Sequence, residues 1–376
     1  MTKPSRLRRS VLYVPASNAK ALAKVASLQA DAVIFDLEDA VAPEAKETSR
    51  EALRNYFLVH PPRTAERVIR INALDGEWGA EDLLAARACK PDAILLPKVQ
   101  TPQDVTNVAD VLDDTDASEG IRLWAMIETP RGILNVDAIA ELGLRSTARL
   151  DCVVVGTNDI AKETGTRLKA GRAFFAPWLM QVLLCARAGK LDVIDGVFND
   201  FANFDGFSAE CAEAAQMGFD GKSLIHPAQI EPANAAFLPD EQTLGEARAI
   251  VAAFARPENS GKGVIALSGR MVERLHLESA QKLVTKVDAL GRNWEKPDRF
   301  APNMGNITMK LYRFLTGPDD ASFCHKVTAA INKGWHIYGS PTYAFNSVTG
   351  VMQCGQAVVK DVDGVDYEPS IKLSDF

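Results

Sequence analysis

Two continuous apolar runs of strand length, each closed by a carboxylate, constrain this chain more than any other feature. Leu123-Trp-Ala-Met-Ile runs into Glu128, and Cys152-Val-Val-Val runs through Gly156-Thr-Asn to Asp159. Neither run alternates apolar with polar. A strand that is apolar throughout has both faces buried, as in a parallel sheet covered by helices. Parallel α/β folds bind ligands at the rim where their strands end. Two carboxylates on that rim could hold a hard cation through oxygen. The competing reading makes each of them a helix-capping or ion-paired acid.

The same alternation of strand-like and helix-like segments extends from residue 10 to about residue 236. Strands are expected at Ser10–Pro15, Ala32–Leu37, Arg67–Asn72, Ala93–Lys98, Arg122–Glu128, Cys152–Gly156, Asp192–Val197 and Gly221–His226. Between them lie helical stretches such as Ala19–Gln29, Glu44–Phe57, Gly79–Ala88, Pro102–Leu112, Phe174–Ala188 and Ser208–Met217, several opened by cap-type residues such as Asn18, Thr101 and Ser208. Eight such units predict an α/β chain whose residues 1–237 form a (β/α)8 TIM barrel. A doubly wound open sheet is the alternative, and no glycine-rich dinucleotide turn supports it. Residues 238–290 read as a helical extension, Asp240–Ala255 then Gly269–Leu290, hinged at the polar stretch 258–263. A linker, 291–306, leads to a small α+β appendage, 307–376, with a loose acidic tail.

A net charge of -7 argues against nucleic acid as a partner. No apolar run is long enough to span a membrane, and no signal-peptide core follows the basic residues near the start, so a cytoplasmic protein is expected. The six cysteines are scattered without a CxxC pair. Cys324-His325 offers two ligands, too few for a zinc site.

The polar residues at the expected strand ends are Ser17, Asp36, Glu38, Asp39, Arg70, Asn72, Lys98, Glu128, Asn158, Asp159 and His226. Acids outnumber bases there, which suits a cation. Arg70 and Lys98 suit an anionic substrate, Arg through its planar fork. There is no Gly-x-Ser-x-Gly, HExxH or P-loop. Two carboxylates with water and substrate oxygens suit Mg²⁺.

Seven strings carry a family resemblance: Arg9-Ser-Val-Leu-Tyr-Val-Pro, Phe35-Asp-Leu-Glu-Asp-Ala-Val, Arg70-Ile-Asn, Leu96-Pro-Lys-Val, Ile127-Glu-Thr-Pro-Arg-Gly, Gly156-Thr-Asn-Asp and Ile225-His-Pro-Ala-Gln. In this order they resemble the citrate lyase β-subunit / HpcH–HpaI aldolase family over residues 8 to about 290. Asp75-Gly-Glu-Trp-Gly, Asn158-Asp-Ile-Ala-Lys-Glu and Asp220-Gly-Lys-Ser-Leu-Ile-His-Pro place it near the malyl-CoA lyase and malyl-CoA thioesterase branch. The appendage resembles a small domain of unknown function through Leu315-Thr-Gly-Pro-Asp-Asp and Gly334-Trp-His-Ile-Tyr-Gly-Ser-Pro.

The resemblance implies a Mg²⁺-dependent enzyme (Mn²⁺ as a substitute) acting on acyl-CoA substrates, with coenzyme A entering as part of the substrate. Glu128 and Asp159 fall on the metal ligands. Asp36, Glu38 and Asp39 fall on the acidic motif around the metal's waters, and Arg70 on the arginine facing the substrate's carboxylate or thioester oxygen. Arg9 and Lys20 fall near positions that meet CoA phosphates, and Lys98 and His226 are grouped with them. Pro15-Ala16-Ser17 departs from the family's Pro-Gly-Ser.

The catalytic base is expected at Glu273, in Gly269-Arg-Met-Val-Glu, where the lyases carry Asp on a helical lid. That lid usually covers a neighbouring subunit, which implies a homo-oligomer, trimer or hexamer. Glutamate adds one methylene of reach. The family's default chemistry implies C–C cleavage of a malyl-CoA-type ester; the longer reach, toward a water beside the thioester carbonyl, makes thioester hydrolysis the close alternative. A scaffolding protein and a CoA-independent aldolase are the more distant readings. Simpler readings stand beside these assignments. The Asp36–Asp39 acids could cap a helix, Arg70 could be a structural ion pair, His226 could order a turn, and Lys98 could be a solvated strand end.

Overall fold

The computed structural model describes residues 6–60, 65–114, 120–168, 171–294, 308–346 and 351–363. The chain divides into two units, Met1–Trp294 and Glu295–Phe376. The expected acidic tail lies outside the described residues.

The first unit is built on a closed parallel barrel in sequential order, β1 (Ser10–Pro15), β2 (Ala32–Asp36), β3 (Glu66–Arg70), β4 (Ala93–Leu96), β5 (Arg122–Ile127), β6 (Leu150–Val155), β7 (Asp192–Asp195) and β8 (Gly221–Leu224). The (β/α)8 architecture is therefore present. The closing seam pairs Ser10, Val11 and Leu12 with Lys222, Ser223 and Leu224. Closure imposes a strict alternation. Val11 and Tyr13, Ala32 and Ile34, Val68, Ala93 and Leu95, Trp124 and Met126, Cys152 and Val154, and Ile194 pack inside the barrel. Their neighbours in sequence, such as Leu12, Val33, Ile69, Ile94, Leu123 and Val153, belong to a second and larger core under the helices. Each strand therefore buries both faces, which explains the unbroken apolar runs.

Period two places charge at both ends of the barrel interior. On β3 the inward column reads Glu66, Val68, Arg70. At the bottom, Arg8 plugs the barrel: Nε and Nη2 meet Glu66 at 2.7 and 2.8 Å, Nη2 also reaches Asp151 at 2.5 Å, and Nη1 reaches Asp192 at 3.1 Å. Its guanidinium also lies over Trp124, 4.8 Å from the ring centre.

The helices mostly follow the sequence signals. Thr101 and Asp104 form a capping box ahead of Pro102–Asp113. The helix expected to open at Ser208 opens earlier, at Phe204, because the Asn203 side chain accepts the Gly206 N–H at 2.9 Å. The extension differs more. Helix Glu241–Phe254 is followed by an antiparallel hairpin, β9 (Val264–Leu267) and β10 (Arg270–Glu273), before helix Arg274–Trp294. Ser268 and Gly269, with φ of 49° and 77°, make the hairpin turn where the helix is expected to begin, and the helix starts at Arg274 instead. Helix Arg274–Trp294 is anchored at the barrel bottom, where Lys286 Nζ meets Asp192 at 2.9 Å and Asp220 at 3.1 Å.

The second unit is a three-stranded antiparallel sheet in the order β11 (Thr308–Pro318), β13 (Val351–Asp363), β12 (His336–Asn346). Helix Ala321–Asn332, capped by Asp320, completes a small core of Leu311, Leu315, Ala330, Trp335 and Val358. β12 carries a register shift against β13 between Tyr338 and Thr342.

Gly221 sits at the seam, where an added Cβ would lie 1.8 Å from the Arg8 carbonyl oxygen. Gly221→Ala must push β8 away from β1. We expect a loss of about 3 kcal/mol, read as a fall of about 6–12 °C in the barrel's thermal transition.

Candidate active site

The strands that lead apolar columns up the barrel end them in polar groups at the top. Asp36 follows Ile34, Arg70 follows Val68, Glu128 follows Met126 and Gly156 follows Val154, all by the same two-residue step. These groups open onto a cleft of about 340 Å³ lined by Tyr13, Asp36, Asp39, Arg70, Glu128 and Asp159, among others.

Arg70 organises one wall. Its Nε and Nη2 donate to the two oxygens of Asp36 at 2.7 and 2.6 Å. Its Nη1 lies 2.7 Å from Glu38 Oε2 and 4.0 Å from Asp39. Asp36 also accepts the N–H groups of Glu38 and Ala40, at 2.9 and 3.2 Å. The Asp36 bonds order the turn that follows β2 and cap no helix, since neither the 3-10 turn Pro43–Ala45 nor the helix after it has a side-chain cap. The ion-pair reading of Arg70 holds and leaves it lining the cleft. Lys46 Nζ pins the acidic loop from beneath, bonding the carbonyls of Leu37 and Glu38 at 2.7 and 2.8 Å and the Asn72 side chain at 3.0 Å.

Glu128 forms the opposite wall and is 2% exposed. Its Oε1 accepts the Lys98 N–H at 2.8 Å. That N–H is aimed by a left-handed Lys98, φ 48°, an uncommon conformation for a residue with a side chain. The other oxygen faces Gly156, where any Cβ would come within 2.5 Å of Oε2. Burial pushes the Glu128 carboxyl up to about 8, and the charges of Glu38 and Asp159 push the same way. Burial likewise raises Glu38, although Arg70 and Lys98 pull it down. Lys98 Nζ meets Glu38 Oε1 at 2.8 Å. Asp159, half-buried, stands in the first turn of helix Thr157–Thr164.

Not every expected residue gathers here. Arg9 is corrected: it precedes β1, so strand direction carries it to the opposite rim, where its Nε and Nη2 each meet Asp31 at 2.8 Å. Lys20 is exposed on helix Ala19–Lys24, beyond the top of β1, and does not line the cleft. His226 also stays outside the lining. Its Nδ1 accepts the Ala228 N–H at 3.2 Å and its ring stacks on Phe201 at 5.0 Å, the turn-ordering role. Glu273 is exposed at the end of β10 rather than on a helix, and it does not line its own barrel's cleft. Sequence reasoning missed Tyr13, Met126 and Gly156, which share the inward parity of Arg70 and Glu128.

Five carboxylates (Asp36, Glu38, Asp39, Glu128 and Asp159) face three cations (Arg70, Lys98 and Lys46) around this mouth. Among the described residues, no three His, Cys, Asp or Glu side chains cluster as a ready-made metal cage. The donor set fits a hard cation that takes two carboxylates and fills its shell with water or substrate oxygen.

Residues 9–227 match the HpcH/HpaI aldolase/citrate lyase family, and residues 309–361 match a domain of unknown function, DUF1737. The chain is 43% identical to a (3S)-malyl-CoA thioesterase of Cereibacter sphaeroides over 282 residues, 75% of this chain and 95% of that one. It is 33% identical to citrate lyase subunit beta of Escherichia coli strain K12, over 77% of this chain and 96% of that one. A crystal structure of CitE from Mycobacterium tuberculosis, in complex with magnesium, acetoacetate and coenzyme A, superposes with a TM-score of 0.58 at 28% identity, covering 76% of this chain and all of that one. With its barrel, its rim of carboxylates and these relatives in agreement, this chain belongs to the HpcH/HpaI aldolase/citrate lyase family.

Proposed function

We propose that this chain, with Mg²⁺, hydrolyses the CoA thioester of a malate-like hydroxy acid. The observation that carries this reading is the under-compensated carboxylate pair, Glu128 and Asp159, in one cleft with Arg70. Glu128 and Asp159 would hold the cation, and the similar CitE structure is a complex with magnesium. When bound, the ion supplies charge that polarises substrate oxygens. Mn²⁺ would substitute, since it takes the same oxygen donors.

The chain's own groups do the rest. A cleft of about 340 Å³ takes the acyl end of the substrate and leaves the CoA nucleotide on the rim. Arg70, held by Asp36 and Glu38, keeps a positive charge beside the acyl group's oxygens. Lys98 holds Glu128 through its backbone and Glu38 through its side chain. Glu273 would activate water from the extension of a second copy, which makes the working form a homo-oligomer. Exposed Met271 and Leu275, 76% and 69% accessible, flank it and support contact with another surface.

The 43% identity with a malyl-CoA thioesterase favours hydrolysis. C–C cleavage to a glyoxylate-like acid and an acyl-CoA is the second reading, favoured by the citrate lyase relative. Incubation with malyl-CoA and Mg²⁺ separates them. Hydrolysis gives free thiol and malate with no carbonyl product, whereas cleavage gives glyoxylate, trapped as its phenylhydrazone. No metal-dependent turnover of any short hydroxyacyl-CoA would overturn both.

Two predictions follow from the metal pair. Glu128→Gln and Asp159→Asn should each lower turnover at limiting Mg²⁺ by about 10²-fold or more, with the thermal transition kept. A mutant with full activity at limiting Mg²⁺ removes that ligand. The second concerns pH. Below pH 8 the metal-free Glu128 carries a proton that the cation must expel, so apparent affinity should weaken by about tenfold per pH unit below 8 and level off above it. Titration with Mn²⁺ reads this directly, and an affinity flat from pH 6 to 9 contradicts it.

A further inference from the structure

We propose that the Tyr13 hydroxyl is a catalytic hydrogen-bond donor to the substrate's thioester carbonyl oxygen, acting beside Arg70. This rests on the thioester reading above and adds a residue to it.

Tyr13 stands two residues above Val11 in the inward column of β1 and lines the cleft with Asp36, Arg70, Met126 and Glu128. Its ring lies against the Arg70 guanidinium, whose Cζ is 4.9 Å from the ring centre. The partner its hydroxyl finds among the described residues is the Met126 sulfur, at 3.6 Å. A thioether is a weak acceptor, so a strong O–H donor stands nearly unspent at the floor of a polar cleft.

Arg70 is in the opposite condition. Two of its nitrogens are given to Asp36, and the third lies against Glu38 and the same Met126 sulfur. An oxygen entering from the open end meets a guanidinium already engaged and a phenol that is not. Burial keeps that phenol protonated, far above the usual tyrosine range, with Arg70 pulling the other way. It can therefore donate.

Negative charge grows on the carbonyl oxygen in either outcome, as a tetrahedral oxyanion in hydrolysis or as an enolate in C–C cleavage. A neutral donor fixed at that point binds the developing charge more strongly than it binds the starting carbonyl. The proton stays on the phenol throughout, and Tyr13 breaks no bond. The competing role is packing, in which the ring merely fills the top of the barrel under Arg70.

Tyr13→Phe separates the two, because phenylalanine keeps the ring and its cation contact and removes only the O–H. We expect kcat to fall by about 10²-fold, with KM changed by no more than about threefold. The thermal transition and Mn²⁺ affinity should stay at wild-type values. Calorimetry supplies a readout apart from turnover. A CoA analogue bearing a carboxylate where the thioester stands should bind the variant about tenfold more weakly, and CoA itself should bind both proteins equally. Wild-type kcat together with unchanged analogue affinity overturns the role of Tyr13 and leaves the thioester reading intact. A wild-type protein that binds neither CoA nor the analogue overturns the thioester reading, and the role of Tyr13 with it.

Discussion

Too little positive charge is buried at the open end of this barrel, and the rest of the site depends on that shortfall. Asp36 takes two donors of Arg70, and Glu38 is shared between Arg70 and Lys98. Among the described residues, Glu128 is left with one backbone N–H, that of Lys98. A buried carboxylate without a counter-charge either keeps a proton or recruits a cation. Evolution toward stability alone would have supplied another base or an apolar residue there, because an unpaired buried acid destabilises. The arrangement makes sense as a site that is electrostatically completed by something the chain does not itself provide.

The two ends of the barrel interior make this contrast within one molecule. At the bottom, Asp192 sits between Arg8 and Lys286. Burial alone would raise its carboxyl, yet the two cations overcome this and hold it down to about 2. At the top, the more deeply buried Glu128 goes up to about 8. Both are carboxylates, and the two cations beside Asp192 are what Glu128 lacks among the described residues. The bottom cluster closes the barrel and, through Lys286, fixes the helical extension to it. The top cluster has the perturbation expected of a functional site.

Much of this was legible in the sequence, for a definite reason. A closed parallel barrel buries every strand on both faces, so its strands appear as unbroken apolar runs and their ends as abrupt polar groups. Asp36, Arg70, Glu128 and Asp159 were readable on those grounds. Arg9 was misplaced because a basic residue beside a strand has opposite meanings before and after it, and string resemblance ignores that polarity. The sequence pattern puts Glu273 on a helix because an isolated Gly269 is compatible with one, whereas consecutive positive φ at Ser268 and Gly269 makes a hairpin turn. The Lys98 N–H was invisible, since no side-chain pattern reports where a backbone donor points. Tyr13 was hidden by its neighbours: within Val11-Leu-Tyr-Val it reads as one more core residue, and only barrel parity turns it toward the cleft.

The choice between hydrolysis and C–C cleavage then lies outside the metal pair. Both reactions place charge on the same carbonyl oxygen, and Arg70, Tyr13 and the cation would serve either one. They differ in which proton is taken: from a water beside the carbonyl, or from the substrate's own hydroxyl. Asp36, Glu38 and Glu128 are poorly suited to that task, because each is committed to a donor at 2.8 Å or less. Asp39 is looser, 60% exposed and 4.0 Å from both Arg70 and Lys98, and it lines the cleft. Glu273 would arrive on the extension of a second copy. On this proposal the outcome would be set by the approach of a carboxylate that the barrel does not hold rigidly, where one methylene of reach would change which proton lies within hydrogen-bond distance. On the proposed reading, one barrel and one metal pair would serve either activity, because the selecting group would sit on the part of the fold least constrained by the core.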